Sequence, residues 1–236
     1  MRLMMTLIAD TAQNVDAISA HLANERVNVL GSEQLLDEGA TITEHGDAPA
    51  VVERDVSPLR ALWVVDVPSR AAAVELAKNA PGGDGTLEVR ESFTPQDFGA
   101  PLDPNPPGPP PPPVRKPDTH RYIALIRSHA EEKLARPTPE STARMDAYCA
   151  PLVESNTMIG GEGLKPSAKA TRVRRAAAQR FILDGPFSES KELVGGYMIV
   201  QMRTLDEAID AIRPWLRIHR EGQGVERATI EVRRLL

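Results

Sequence analysis

Pro101-Leu102-Asp103-Pro104-Asn105-Pro106-Pro107-Gly108-Pro109-Pro110-Pro111-Pro112-Pro113-Val114-Arg115-Lys116-Pro117 is the stretch that divides this chain. Consecutive prolines fix φ and remove backbone donors, so neither a helix nor a central strand can run through it. The expectation is a polyproline II spacer rising ~3.1 Å per residue. It separates residues 1–95 from residues 120–236, with 96–119 as the linker. A chain of 236 residues exceeds the ~100–150 of a common single domain, which fits two small ones.

Outward from the prolines, the two halves read in parallel. Met4–Ala9 and Arg121–Ile126 are predicted strands, and each is followed by helical periodicity. The first helix shows Val15, Ile18 and Leu22 behind a capping Asn14. The second shows Met145, Tyr148, Cys149 and Leu152 behind a capping Thr138, with Pro139 at the first helical position. Leu35–Ile42 and Leu152–Ile159 both read as a polar break between a helix end and a new strand, which aligns Leu35 with Leu152. Leu62–Val67 and Tyr197–Gln201 are apolar strands that run into helices. The later helix opens on the capping box Thr204-Leu205-Asp206-Glu207 and turns Leu205, Ala208, Ile209, Ile212, Trp215 and Leu216 inward. Thr86–Arg90 and Ala228–Arg234 close the halves as strands. Each half is thus β-α-β…β-α-β, which predicts an α+β chain of tandem ferredoxin-like domains. Aligning Pro68 with Thr204 leaves the first half shorter in its middle. The shortfall is expected to fall on the stretch containing the basic hairpin and residues 184–187.

Composition narrows the function. A net charge of −5 and a pI near 5.6 argue against a dedicated nucleic-acid binder. Lys165, Lys169, Arg172, Arg174, Arg175 and Arg180 make one locally basic stretch, read first as a solvated hairpin and second as an anion-binding face. Cys149 is the single cysteine, so no intrachain disulfide or thiolate metal cage can form, and a reducing cytoplasm is expected. In its amphipathic setting it reads as a small core residue. Leu3–Ile8 is too short for a membrane span and lacks a small-residue cleavage site, so it is expected to be a buried strand. The five histidines show no metal-site spacing; His21 is the one of interest, and a surface helix position is its plainer reading. Neither a phosphate loop nor a nucleotide fingerprint occurs, so no cofactor and no metal are expected.

One segment is distinctive. Gly160-Gly161-Glu162-Gly163 is followed by Asp184-Gly185-Pro186-Phe187-Ser188-Glu189-Ser190-Lys191-Glu192 and then Gly195-Gly196-Tyr197. This resembles the YCII-related family, in the branch named for its DGPFAETKE motif, with Ser188 for Ala and Ser190 for Thr. The resemblance covers residues 120–236, and residues 1–95 share only the element order, as a degenerate copy. It implies a βαβββαβ ferredoxin-like domain whose sheets pair into a dimeric α/β barrel. A tandem chain would close that barrel internally as a pseudo-dimer, or else pair its C-terminal domains as a homodimer.

Asp-Gly-Pro is turn chemistry in the first instance. In the functional reading the turn aims Asp184, Glu189 and Lys191 at a pocket as catalytic groups. A carboxylate beside an ammonium makes an acid–base pair, and Lys191 can also hold an anion or a developing enolate. Ser190, Glu162 and Tyr197 are the candidate ligand-binding residues. The glycines around Glu162 fit close backbone approach or plain sheet packing, and Tyr197 fits a pocket or the core. Barrel relatives include lactone isomerases and cofactor-free monooxygenases, so the resemblance implies a cofactor-independent small-molecule isomerase or lyase. The alternative is a non-catalytic binding or regulatory module, for which the resemblance points to an extracytoplasmic-function sigma factor as partner. No nucleic-acid or membrane partner is expected.

Overall fold

The computed structural model of the protein describes residues 1–98, 113–127, 138–177, 179–187 and 194–236. The chain is α+β. In the first half β1 (Arg2–Ile8), α1 (Val15–Asn24), β2 (Asn28–His45), β3 (Val51–Glu53), β4 (Leu59–Asp66), α2 (Arg70–Asn79) and β5 (Gly85–Glu91) follow one another. In the second half come β6 (His120–Arg127), α3 (Pro139–Glu154), β7 (Met158–Gly163), β8 (Thr171–Ala176), β9 (Gln179–Asp184), β10 (Val194–Met202), α4 (Leu205–Gln223) and β11 (Arg227–Leu235).

Among the described residues all eleven strands join one antiparallel sheet in the order β7-β10-β6-β11-β2-β4-β1-β5-β8-β9, with β3 on the side of β2. The first half contributes β2-β4-β1-β5 and the second β7-β10-β6-β11. The path also returns to its start. Ser92, just past β5, bridges Leu164, just past β7; the Phe93 amide donates to the Gly163 carbonyl at 2.9 Å and the Lys165 amide to the Glu91 carbonyl at 2.8 Å.

Strand alternation sorts the apolar side chains into layers. Leu3, Met5 and Leu7 face Val15, Ile18 and Leu22 of α1 and Ala73 and Ala77 of α2. Tyr122, Ala124 and Ile126 meet Ala208, Ile209, Ile212, Trp215 and Leu216 of α4 in the second half. The opposite faces form a third core between the two parts of the sheet, with Met4, Ile8, Leu62 and Val64 against Ile123, Leu125, Tyr197 and Ile199.

The expected caps hold at Thr138 and Thr204, whose hydroxyls accept from the Ser141 and Glu207 amides. Asn14 does not cap α1; its Oδ1 accepts from the Gly83 amide at 3.2 Å instead. The alignment of Leu35 with Leu152 is corrected, because Leu35–Ile42 lies wholly within β2 while Leu152 is in the last turn of α3. β2 is 18 residues long because it serves two neighbours, pairing β4 through Gln34 and β11 from Leu35. Nor does the first half lack the hairpin: β3 folds back on β2 as β9 folds back on β8. Part of the second half's extra length is instead in α3, with 16 residues against the 10 of α1.

The basic stretch is only partly solvated. Arg172 and Arg175 on β8 are buried, because β8 pairs with β5 of the other half and lies inside the sheet. Most of the proline-rich segment lies outside the described residues. Its end is fastened to the second half: the Val114 carbonyl accepts from Gln201 Nε2 at 2.9 Å, and Lys116 Nζ donates to Thr157 Oγ1 at 2.6 Å.

Candidate functional site

The signature turn is built by close packing. The Gly185 amide continues the β8–β9 ladder to the Ala170 carbonyl at 3.0 Å, and a Cβ on Gly185 would lie 1.9 Å from the Ser167 carbonyl oxygen. Only glycine allows that approach. Phe187 is buried against Ala170, and the Arg172 guanidinium stacks over its ring at 4.2 Å. Asp184 stands at the end of β9 with its side chain 72% exposed. Its Oδ1 accepts from Thr171 Oγ1 at 2.6 Å and from Arg70 Nη2 at 3.1 Å. Arg70 opens α2 of the first half, so the turn is tied across the two halves. Glu189, Ser190 and Lys191 lie outside the described residues.

Glu162 and Tyr197 are brought together elsewhere, as direct cross-strand neighbours on β7 and β10. Glu162 accepts from Arg2 Nη1 at 3.1 Å and from the Ser92 hydroxyl, both from the first half. Arg121 Nη1 donates to Glu33 Oε1 at 2.8 Å, the same β6-to-β2 contact that Arg2 and Glu162 make from β1 to β7. Burial pushes the Glu33 carboxyl above its usual range, opposed by the Arg121 charge. Burial also holds the Tyr197 phenol well above its ordinary value, aided by Glu162 and Glu33 and opposed by Arg2. Tyr197 is therefore a proton and hydrogen-bond donor across the neutral range, beside the Glu162 carboxylate that Arg2 bridges. The glycines serve the sheet here. A Cβ on Gly161 would lie 2.8 Å from the Tyr197 carbonyl oxygen, and one on Gly196 would lie 2.8 Å from that of Glu162.

A set of buried charges adjoins these groups, and the sequence reading missed it. Arg90 reaches across to the Val194 carbonyl and pairs with Glu88, which also accepts from Arg172 Nε at 2.8 Å. In the other direction Arg233 reaches the Leu59 carbonyl and lies 3.5 Å from Glu231. Glu231 also pairs with Arg127 and accepts from the Ser57 amide at 3.0 Å. The signal was present as a repeat, Thr86-Leu87-Glu88-Val89-Arg90 against Thr229-Ile230-Glu231-Val232-Arg233. Alternation puts both Glu-Val-Arg pairs on the inner face, where each arginine clasps the opposite half.

The remaining candidates have structural places. His21 Nε2 meets the Leu76 carbonyl at 3.2 Å, joining α1 to α2. Cys149 packs beside the α4 core, where burial, then Asp146, pushes its thiol up and away from a reactive thiolate. Among the described residues no group of His, Cys, Asp or Glu is placed to hold a metal ion, and no helix is long and apolar enough to cross a membrane.

No family model matches the chain. A stretch of 50 residues, 21% of this chain, is 38% identical to an uncharacterized protein of Rhizobium meliloti (strain 1021) and spans 40% of that protein's length.

Proposed function

We propose that the chain is a YCII-related protein of the DGPF branch, with two ferredoxin-like units closed into an α/β barrel as an intrachain pseudo-dimer. The strand orders of the two halves, the Ser92–Leu164 bridge and the reciprocal arginine clasps support this. The function proposed is cofactor-independent acid–base chemistry on a small molecule, of the isomerase or lyase kind, in the cytoplasm. Its groups come from the second half: Glu162 and Tyr197 at the seam, and the signature residues Asp184, Glu189, Ser190 and Lys191.

The observation that carries the reading is the Glu162–Tyr197 pair. A carboxylate held by Arg2 and Ser92 can take a proton from carbon next to a carbonyl, while a phenol kept protonated by burial donates to the developing enolate oxygen. Return of the proton to a different carbon completes an isomerisation.

The test is exchange of α-protons for deuterium in D2O, followed by NMR, over a panel of small oxo acids and unsaturated lactones. Wild type is expected to accelerate exchange of at least one member. Glu162→Gln and Tyr197→Phe each slow it by about 10²–10⁴-fold, and Asp184→Asn and Lys191→Met test the signature groups. Exchange at the buffer rate for the whole panel, or full activity in all the variants, defeats the reading.

A further inference from the structure

β9 ends the sheet, and among the described residues nothing pairs with its outer edge. All six of its residues, Gln179-Arg180-Phe181-Ile182-Leu183-Asp184, are exposed, and Phe181, Ile182 and Leu183 are each close to half exposed. An open strand of this length carrying three consecutive large apolar residues is a template for pairing, and proteins normally blunt such edges. β3, the strand that folds back on β2, is blunted in this way, being three residues long.

We infer that β9 is the interface through which two copies of this chain associate, strand against antiparallel strand about a twofold axis. The backbone selects the register. Because the Gly185 amide bonds to the Ala170 carbonyl, the ladder to β8 uses the odd-numbered residues Phe181 and Leu183. Arg180, Ile182 and Asp184 therefore turn their N–H and C=O groups outward. A twofold partner must match outward groups with outward groups, and the register using all of them sets Ile182 against Ile182 of the second copy.

That register is self-complementary in its side chains. Arg180 falls opposite Asp184 of the other copy, twice by symmetry, on the face that carries the Ile182 pair. On the reverse face Phe181 falls opposite Leu183, again twice. Aromatic–aliphatic and opposite-charge neighbours are the favourable cross-strand pairs. Asp184 has room for the second arginine, because Thr171 and Arg70 both bond to Oδ1 and the side chain is 72% exposed. The inference shares Asp184 with the acid–base reading but does not rest on it, since the edge and its register are set by the β9 backbone and are independent of Glu162 and Tyr197.

Sedimentation equilibrium of the full chain tests it. Wild type is expected to be a dimer of the 25.7 kDa chain. Arg180→Asp sets like charges opposite each other at both ends and is expected to weaken association by about tenfold or more, and Asp184→Arg does the same. Mixing these two variants restores both ion pairs in the mixed dimer only, so the mixture should associate more tightly than either alone. Ile182→Lys, which leaves Asp184 with Arg70 and Thr171, should give a folded monomer by circular dichroism. A monomeric wild type at about 100 μM overturns the inference. So does a dimer indifferent to Ile182→Lys and Arg180→Asp, which would mean another surface is used.

Discussion

A methyl group on Gly185 would be driven into the Ser167 carbonyl oxygen, 1.9 Å away. Gly185→Ala must displace the 165–170 loop or break the ladder bond to Ala170. It is expected to cost about 2–4 kcal/mol, read as a lower urea midpoint at unchanged slope. A loss below ~0.5 kcal/mol would show that the loop yields freely. Arg233 poses the buried-charge problem in sharper form, being fully buried and bonded to the Leu36 and Leu59 carbonyls. Arg233→Met strands those acceptors and leaves the Glu231 charge less well compensated, for an expected loss of about 3–5 kcal/mol in the same measurement. At this scale the sequence was partly legible. Asp-Gly-Pro announced a turn because its chemistry is local. Arg70 as the partner of Asp184 did not show, because a contact made by residues so far apart in the chain leaves no trace in spacing.

Helix ends and strand faces were the most readable features, since period and capping chemistry are local. Thr204 is an instance: its hydroxyl accepts from the Glu207 amide at 3.1 Å, and Thr204→Ala is expected to cost about 1 kcal/mol by urea unfolding. Asn14 has the same credentials in sequence, yet its side chain turns to Gly83, so Asn14→Ala should loosen that loop and leave the cap of α1 unchanged. The length of β2 could not be read, because Asp37-Glu38-Gly39 looks like a break when strand pairing on both sides is unknown. Gly39 is instead a point of close approach, where a Cβ would lie 2.6 Å from the Val232 carbonyl oxygen. The Glu-Val-Arg repeat was within reach and was missed, because nothing local to a closing strand marks a charged pair as buried against the other half.

At the scale of the whole molecule, the tyrosines report on burial. All three, Tyr122, Tyr148 and Tyr197, have phenols pushed up chiefly by burial. In the unfolded chain they ionise near ~10. The folded protein therefore holds protons that the unfolded chain sheds above that value. Stability is full below ~10 and falls as the pH climbs through and beyond it. Phenolate absorbance should stay low past ~10 and then rise in one step with loss of circular dichroism; a gradual rise near ~10 in a still-folded chain would contradict this burial. A protease site placed in the proline-rich segment tests the closure itself. After cleavage the halves should co-elute as a one-to-one complex, held by β11 on β2 and β8 on β5, and separate only in denaturant.

The crossing of β8 and β11 into the first half also has a bearing on biosynthesis. β5 is complete at Glu91, but the strand that covers it begins at Thr171, and the far end of β2 waits for a strand that begins at Arg227. At a synthesis rate of ~5–20 residues per second, the edge of β5 stays uncovered for roughly 4–16 s. The N-terminal half thus leaves the ribosome as an unfinished surface. Emergence of β8 and β11, and not completion of the first half, is what covers the edges of β5 and β2.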